Sequence, residues 1–160
     1  HFKSKRDIFD QILLRMEAQD AERAAQFSLP VNSLEGNEAE YRGASVAQVI
    51  AFSRAQLRYW LEDEFAAPFR RMLSLERYRS EEMRALHANY LVFGPLGYTE
   101  DLLASLGYDA PREKALAFYA PMFFLYSLYD AGESLPRVLA LADEHFDRAA
   151  RALIGDEAEK

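Results

Sequence analysis

A chain of 160 residues, 50% hydrophobic and 28% charged, has the size and composition of one globular domain with a real core. It contains no cysteine, which excludes a disulfide framework, Cys-ligated zinc and a cysteine nucleophile. The formal net charge of −7 argues against a chain that binds nucleic acid over its whole surface, and leaves Lys3, Lys5 and Arg6 as one compact basic cluster.

The pattern from Ser4 to about Phe27 is helical. Ser4 is a good N-cap, and Asp7 stands three residues on, where its carboxylate reaches back to the cap or favours the positive helix end. Ile8, Ile12 and Met16 recur at four-residue steps with Leu13 beside them, while the second half, EAQDAERAAQ, has small apolar positions that imply shallow packing. Pro30 stops this helix. Residues 28–44 form a connector rich in Pro, Gly and Asn, of a length that is often functional or mobile.

Ser45 with Gln48 repeats the capping-box signature and opens a helix from about Val46 to Ala66. Val49, Phe52, Gln56, Tyr59 and Trp60 share one side of it, with Arg54, Arg58 and Glu62 largely elsewhere. Pro68 begins a short helix, and Ser80 caps the next, whose inner stripe is Met83, Leu86, His87, Tyr90 and Leu91. Gly94-Pro95 predicts a kink or short break before helix resumes over Thr99 to Leu106, with Gly107 as its stop. Pro111 suits a helical first turn with Asp109 as a possible cap. The following run, ALAFYAPMFFLYSLY, is apolar nearly all round and must be buried on most sides, yet it is too short to span a membrane. Gly132 ends it. The last helix starts at Ser134, carries the stripe Leu135, Val138, Leu139, Ala142, Phe146, Ala149 and Leu153, and gives way to Gly155 and a charged tail. No strand pattern, hairpin signal or internal repeat is present, so the fold class is all-α, with six to seven helices.

Read as HF-x-S-K-x-D-I-F, the first nine residues resemble the junction between the DNA-binding head and the regulatory body of TetR-family transcriptional repressors. His1, Phe2, Ser4, Lys5, Asp7 and Phe9 fall where that family has them. The order of helices, and the run FYAPMFFLYSLYD as a penultimate long helix, resemble the family's body. The resemblance implies that residues 1–3 are the end of a helix-turn-helix head lying upstream, and that residues 4–160 are a ligand-binding and dimerisation domain. It implies operator DNA as a partner through that head, with His1, Lys3 and Lys5 near DNA phosphate. It also implies a homodimer formed by the two C-terminal helices, for which Phe124, Leu128, Leu135, Leu139, Ala142, Phe146 and Leu153 are the candidate contacts.

A small-molecule effector would enter among the second to sixth helices, where Phe52, Tyr59, Trp60, Tyr90, Phe93, Phe118, Met122 and Tyr126 are the candidate lining. Aromatics at helical spacing equally fit a plain core. Tyr favours a pocket, because a buried hydroxyl needs a partner and pockets mix apolar walls with such polar tips. Arg54 or Arg58 could add a charge contact, or be an exposed helix arginine.

His87 and His145 have no partner at metal-motif spacing, and His87 on an apolar face fits a hydrogen-bonded core or pocket residue. Glu62-Asp63-Glu64 are consecutive on a helix and point apart, as a solvated acidic turn does. There is no dinucleotide fingerprint, phosphate loop or nucleophile elbow, so no cofactor and no enzyme activity are expected. The absence of cysteine and of a visible signal peptide fits a cytoplasmic protein without a membrane partner. The expected function is a ligand-responsive transcriptional regulator, a repressor, for a hydrophobic or aromatic effector. Its rivals are an all-α lipid- or hydrophobe-binding protein without DNA binding, and a cofactor-free helical enzyme.

Overall fold

The structure, a computed structural model describing residues 3–158, is all-α. Its segments are α1 (Lys5–Gln26), α2 (Val46–Glu62), α3 (Ala66–Glu76), α4 (Glu81–His87), α5 (Phe93–Ser105), α6 (Pro111–Asp130) and α7 (Leu135–Ala158). A 3₁₀ turn (Glu38–Tyr41) interrupts the connector, and a π-helical turn (Ala88–Val92) joins α4 to α5 without a loop, so the chain makes six rods. No strand occurs among the described residues, and no helix among them is long and apolar enough to cross a membrane.

Four serine caps set helix starts, and the one at α7 is Ser134, whose Oγ accepts from the N–H of Arg137 at 3.4 Å. The Oγ atoms of Ser4, Ser45 and Ser80 accept from the backbone N–H of Asp7, Gln48 and Met83 at 3.1, 3.3 and 3.1 Å. The Asp7 carboxylate accepts from the N–H of Lys3 at 2.9 Å, one residue beyond the cap. The helix expected over Val46 to Ala66 is two helices. Asp63 Oδ1 accepts from the N–H groups of Phe65 and Ala66, both at 2.8 Å, and so caps α3. The supposed solvated acidic turn therefore has a structural member. Asp109 does not cap α6. Ala110 precedes Pro111 at φ +45°, and the Asp109 carboxylate lies 3.5 Å from Lys114 Nζ instead. Gly107 and Gly132, both at positive φ, close α5 and α6 as expected. Gly155 lies inside α7 and does not end it.

The core is arranged around α2, which packs against α1, α3, α6 and α7. Its buried face is Val46, Val49, Ile50, Phe52, Ser53, Leu57, Trp60 and Leu61. By contrast α1 buries only Met16 and Ala24 out of 22 residues. It is held by mostly polar contacts: Arg23 Nε donates to Gln56 Oε1 at 2.6 Å, Tyr59 donates to Gln19 Oε1 at 2.6 Å, and Arg15 stands over Phe65 at 4.1 Å.

Three of the expected dimer contacts are spent inside the protomer. Ala142, Phe146 and Leu153 are buried along with Val138, and Phe146 packs on Phe118 with ring centroids 6.0 Å apart. The regular stripe of α7 is thus the seam it makes with α2 and α6. What α6 leaves outside is another strip: Leu116 and Phe124 are 55% and 62% exposed, with Leu128, Leu135 and Leu139 half-buried near the α6–α7 turn.

Candidate ligand cavity

Helical spacing brings a small set of side chains from five segments to one void of about 350 Å³. From α1 come Glu17, Asp20 and Ala24, three and four residues apart and hence on one face. From α2 come Phe52, Ser53, Gln56 and Trp60; from the π turn and α5, Asn89, Tyr90, Gly94, Pro95, Tyr98 and Thr99; from α6, Tyr119, Met122 and Tyr126. Pro30 and Val31 of the connector complete the rim. The small residues that make the second half of α1 pack shallowly are also what leaves this space open.

Five of the eight candidates read from sequence meet here: Phe52, Trp60, Tyr90, Met122 and Tyr126. Three do not. Tyr59 follows the helical turn away from Trp60 towards α1, where its hydroxyl is bonded to Gln19 and the Arg23 guanidinium stacks on its ring at 3.3 Å. Phe118 faces α7, between His145 and Phe146. Phe93 is 65% exposed, because the extra residue in the π turn advances the helix phase and brings Gly94 and Pro95 to the void in its place.

Sequence reasoning missed Tyr98, Ser53 and the acidic pair Glu17 and Asp20. The spacing of Glu17, Asp20 and Ala24 was the available signal, although it is also the pattern of a solvated face. Of the DNA-phosphate candidates, Lys3 and Lys5 are exposed at the start of α1, while His1 lies outside the described residues. Arg6 is occupied by Asp10 at 2.9 Å and Glu82 at 2.7 Å. Arg54 is tied to Asp143 and Asp147, away from the void.

Several polar tips reach the void without a protein partner, and none of these atoms is itself fully buried. Tyr90 and Tyr126 are buried, yet neither hydroxyl bonds to another described residue, and the Trp60 indole N–H has none either. Burial pushes the Tyr90 phenol up to about 12, helped by the nearby carboxylates of Glu17 and Asp20, and burial raises Tyr126 as well. Both are neutral hydroxyls at physiological pH. Tyr119 differs: its hydroxyl donates to Leu91 O at 2.6 Å. Burial raises the Asp20 carboxyl, against the pull of its ion pair with Arg23. The charged lining residues are both acidic, and no histidine is among them. Such a lining presents flat apolar surface and a few hydrogen-bonding atoms. The two histidines sit elsewhere: His145 Nε2 is 2.8 Å from Phe118 O, and His87 is beside Arg77. No group of three metal-ligating side chains occurs among the described residues.

Comparison with known proteins gives no significant match to a protein family, to a curated protein or to a solved structure.

Proposed function

We propose that this chain is the regulatory body of a TetR-like transcriptional repressor, which binds a small hydrophobic or aromatic effector and controls operator binding by a head preceding His1. The observation that carries the reading is the double role of α1. One end of it holds Ser4, Lys5 and Asp7 of the family-like junction, and three turns on it contributes Glu17, Asp20 and Ala24 to the cavity wall. A ligand filling the cavity touches the helix whose start would carry the head. With only two buried residues, α1 has little apolar packing to resist a change of tilt.

In this reading the ligand favours one orientation of α1 through differential affinity, and the two heads of a dimer move relative to adjacent major grooves. Lys3, Lys5 and the N–H groups at the helix start contact phosphate and position the protein without reading sequence. The dimer forms over the outer strip of α6 and the α6–α7 turn. With both charged lining residues acidic, the cavity favours neutral planar or hydrophobic molecules over anions. The net charge of −7 favours one second reading, a hydrophobe-binding body that never meets DNA.

Two measurements test the proposal. The open reading frame upstream of His1 should encode about forty residues containing a basic helix-turn-helix pattern; its absence leaves the hydrophobe-binding protein. A hydrophobic fluorescent probe should bind saturably and lose its site in Trp60→Ala. That substitution, which enlarges an existing void, should cost much less stability than Phe146→Ala, for which about 3–5 kcal/mol is expected. Equal large losses, with no saturable probe site in the parent, would leave a packed helical body and no sensor.

A further inference from the structure

A second void of about 410 Å³ lies between α3, α4 and α6, on the far side of Tyr126 from the aromatic cavity. Its character is the opposite. Arg70, Arg77, His87, Ser74 and Ser127 supply polar atoms, and Asp130 is the one carboxylate among the lining residues. That carboxylate is already used. It takes a two-pronged bond from Arg70 and lies 3.3 Å from Arg71 Nε. Arg77 has no carboxylate partner among the described residues, and its Nε is buried without any hydrogen bond. Its Nη1 stands 3.4 Å from Nε2 of His87, a side chain only 6% exposed. Arg77 Nη1 is thus within donating distance of the neutral His87 ring, and both side chains line the same open space in a protein of net charge −7.

An unpaired guanidinium N–H in a half-buried setting is costly, and an orphan of this kind points to a missing partner that accepts hydrogen bonds. Water would accept one bond but leave the charge. An oxyanion seated in the void accepts from the planar guanidinium fork and compensates the charge as well. We propose that this cavity binds a small oxyanion, the carboxylate or phosphate group of a metabolite, held by Arg77 and His87. The site is independent of the regulator reading. Tyr126 walls both cavities.

The charged groups sharing the cavity with His87 are Arg70 of α3, Arg77 at the C-cap of α3, and Asp130 of α6. Burial first, and then Arg77, holds the empty site's imidazole below its ordinary value. A bound anion reverses the second effect and draws a proton onto the ring. The experiment follows the His87 ring resonances of the whole chain by NMR as inorganic phosphate, acetate or chloride is added at matched ionic strength. Phosphate or acetate should shift them saturably and raise the His87 pKa, while chloride should do neither. Phosphate alone or acetate alone would say which geometry fits. Arg77→Met keeps the aliphatic stem and should weaken binding about tenfold or more, the worth of a charge-assisted bond. Arg71→Met, whose guanidinium is outside the cavity, should leave binding unchanged. No saturable shift beyond chloride, or equal binding by parent and Arg77→Met, overturns the proposal and leaves a water-filled void. Should Arg77→Met fail to fold, the parent's response against chloride decides alone.

Discussion

Arg70 is the largest of the fully buried side chains among the described residues, 2% exposed, and shows what a charge requires in such a place. Its Nε donates to Trp60 O at 3.1 Å and its two Nη atoms to Asp130, so each of its three nitrogens has an acceptor. Burial alone would push the Asp130 carboxyl up; the bonds and charge of Arg70, joined by Arg71, bring it below its ordinary value of 3.8. A carboxyl depressed in the folded state stabilises the fold above that ordinary value, and the contribution is lost as pH falls through the lower folded one. Asp130→Asn should therefore cost about 3 kcal/mol at neutral pH, since it strands a buried guanidinium, and flatten the acid limb of stability. Glu62→Gln, which breaks the exposed pair with Arg58, should cost less than about 1 kcal/mol. Urea melts at neutral and acid pH compare the two, and equal losses would refute the reading.

The π turn shows the same logic in an element. Pro95 has no N–H to offer the carbonyl of Leu91, four residues back, and the Tyr119 hydroxyl from α6 takes that place. Phe93 N–H reaches Ala88 O, one residue further than an α-helix allows, and Val92 departs to φ −124°, ψ −83°. The turn brings Asn89 O to within 1.8 Å of where a Cβ on Gly94 would stand, so no other residue fits there without rebuilding. Gly94→Ala should destabilise the protein by about 1–3 kcal/mol, as overpacking does, and perturb the aromatic cavity that Gly94 lines. Gly97→Ala, in the same helix with open space around it, should be neutral or stabilising by up to about 1 kcal/mol. Thermal melts of the two variants settle the point; similar behaviour would mean the turn is not built on Gly94.

At the scale of the molecule, one face is unfinished. Leu116, Ala120, Phe124 and Leu128 run down α6 at four-residue steps, and the first three are exposed. A two-fold partner laying the same strip across this one would bury it. Phe124→Glu should then turn a sedimenting dimer into a monomer without loss of helix content. A parent that is already monomeric at micromolar concentration would remove the dimer from the proposal. So would a Phe124→Glu variant that remains dimeric.

Local chemistry was legible in the chain: Ser4, Ser45 and Ser80 compete for backbone N–H groups wherever they stand, and Gly107 and Gly132 stop helices because only the backbone need agree. Those rules, with the apolar periodicity, determined an all-α fold and most helix starts. Five cavity side chains were legible too, because a helix face collects residues three and four apart. The remainder depended on which neighbour each face met. Phe146 and Leu153 form as regular a stripe as any dimer seam, and only the packing of α7 on α2 and α6 turned it inward. Tyr59 and Phe118 differ from Trp60 and Tyr119 by one residue, a step of about 100° whose outcome is decided by the helix opposite. Arg70 and Asp130 meet across α3 and α6, and a pair 60 residues apart has no signature in one dimension. Burial, charge compensation and the void between the helices belong to the tertiary structure, because each is a property of surfaces brought together.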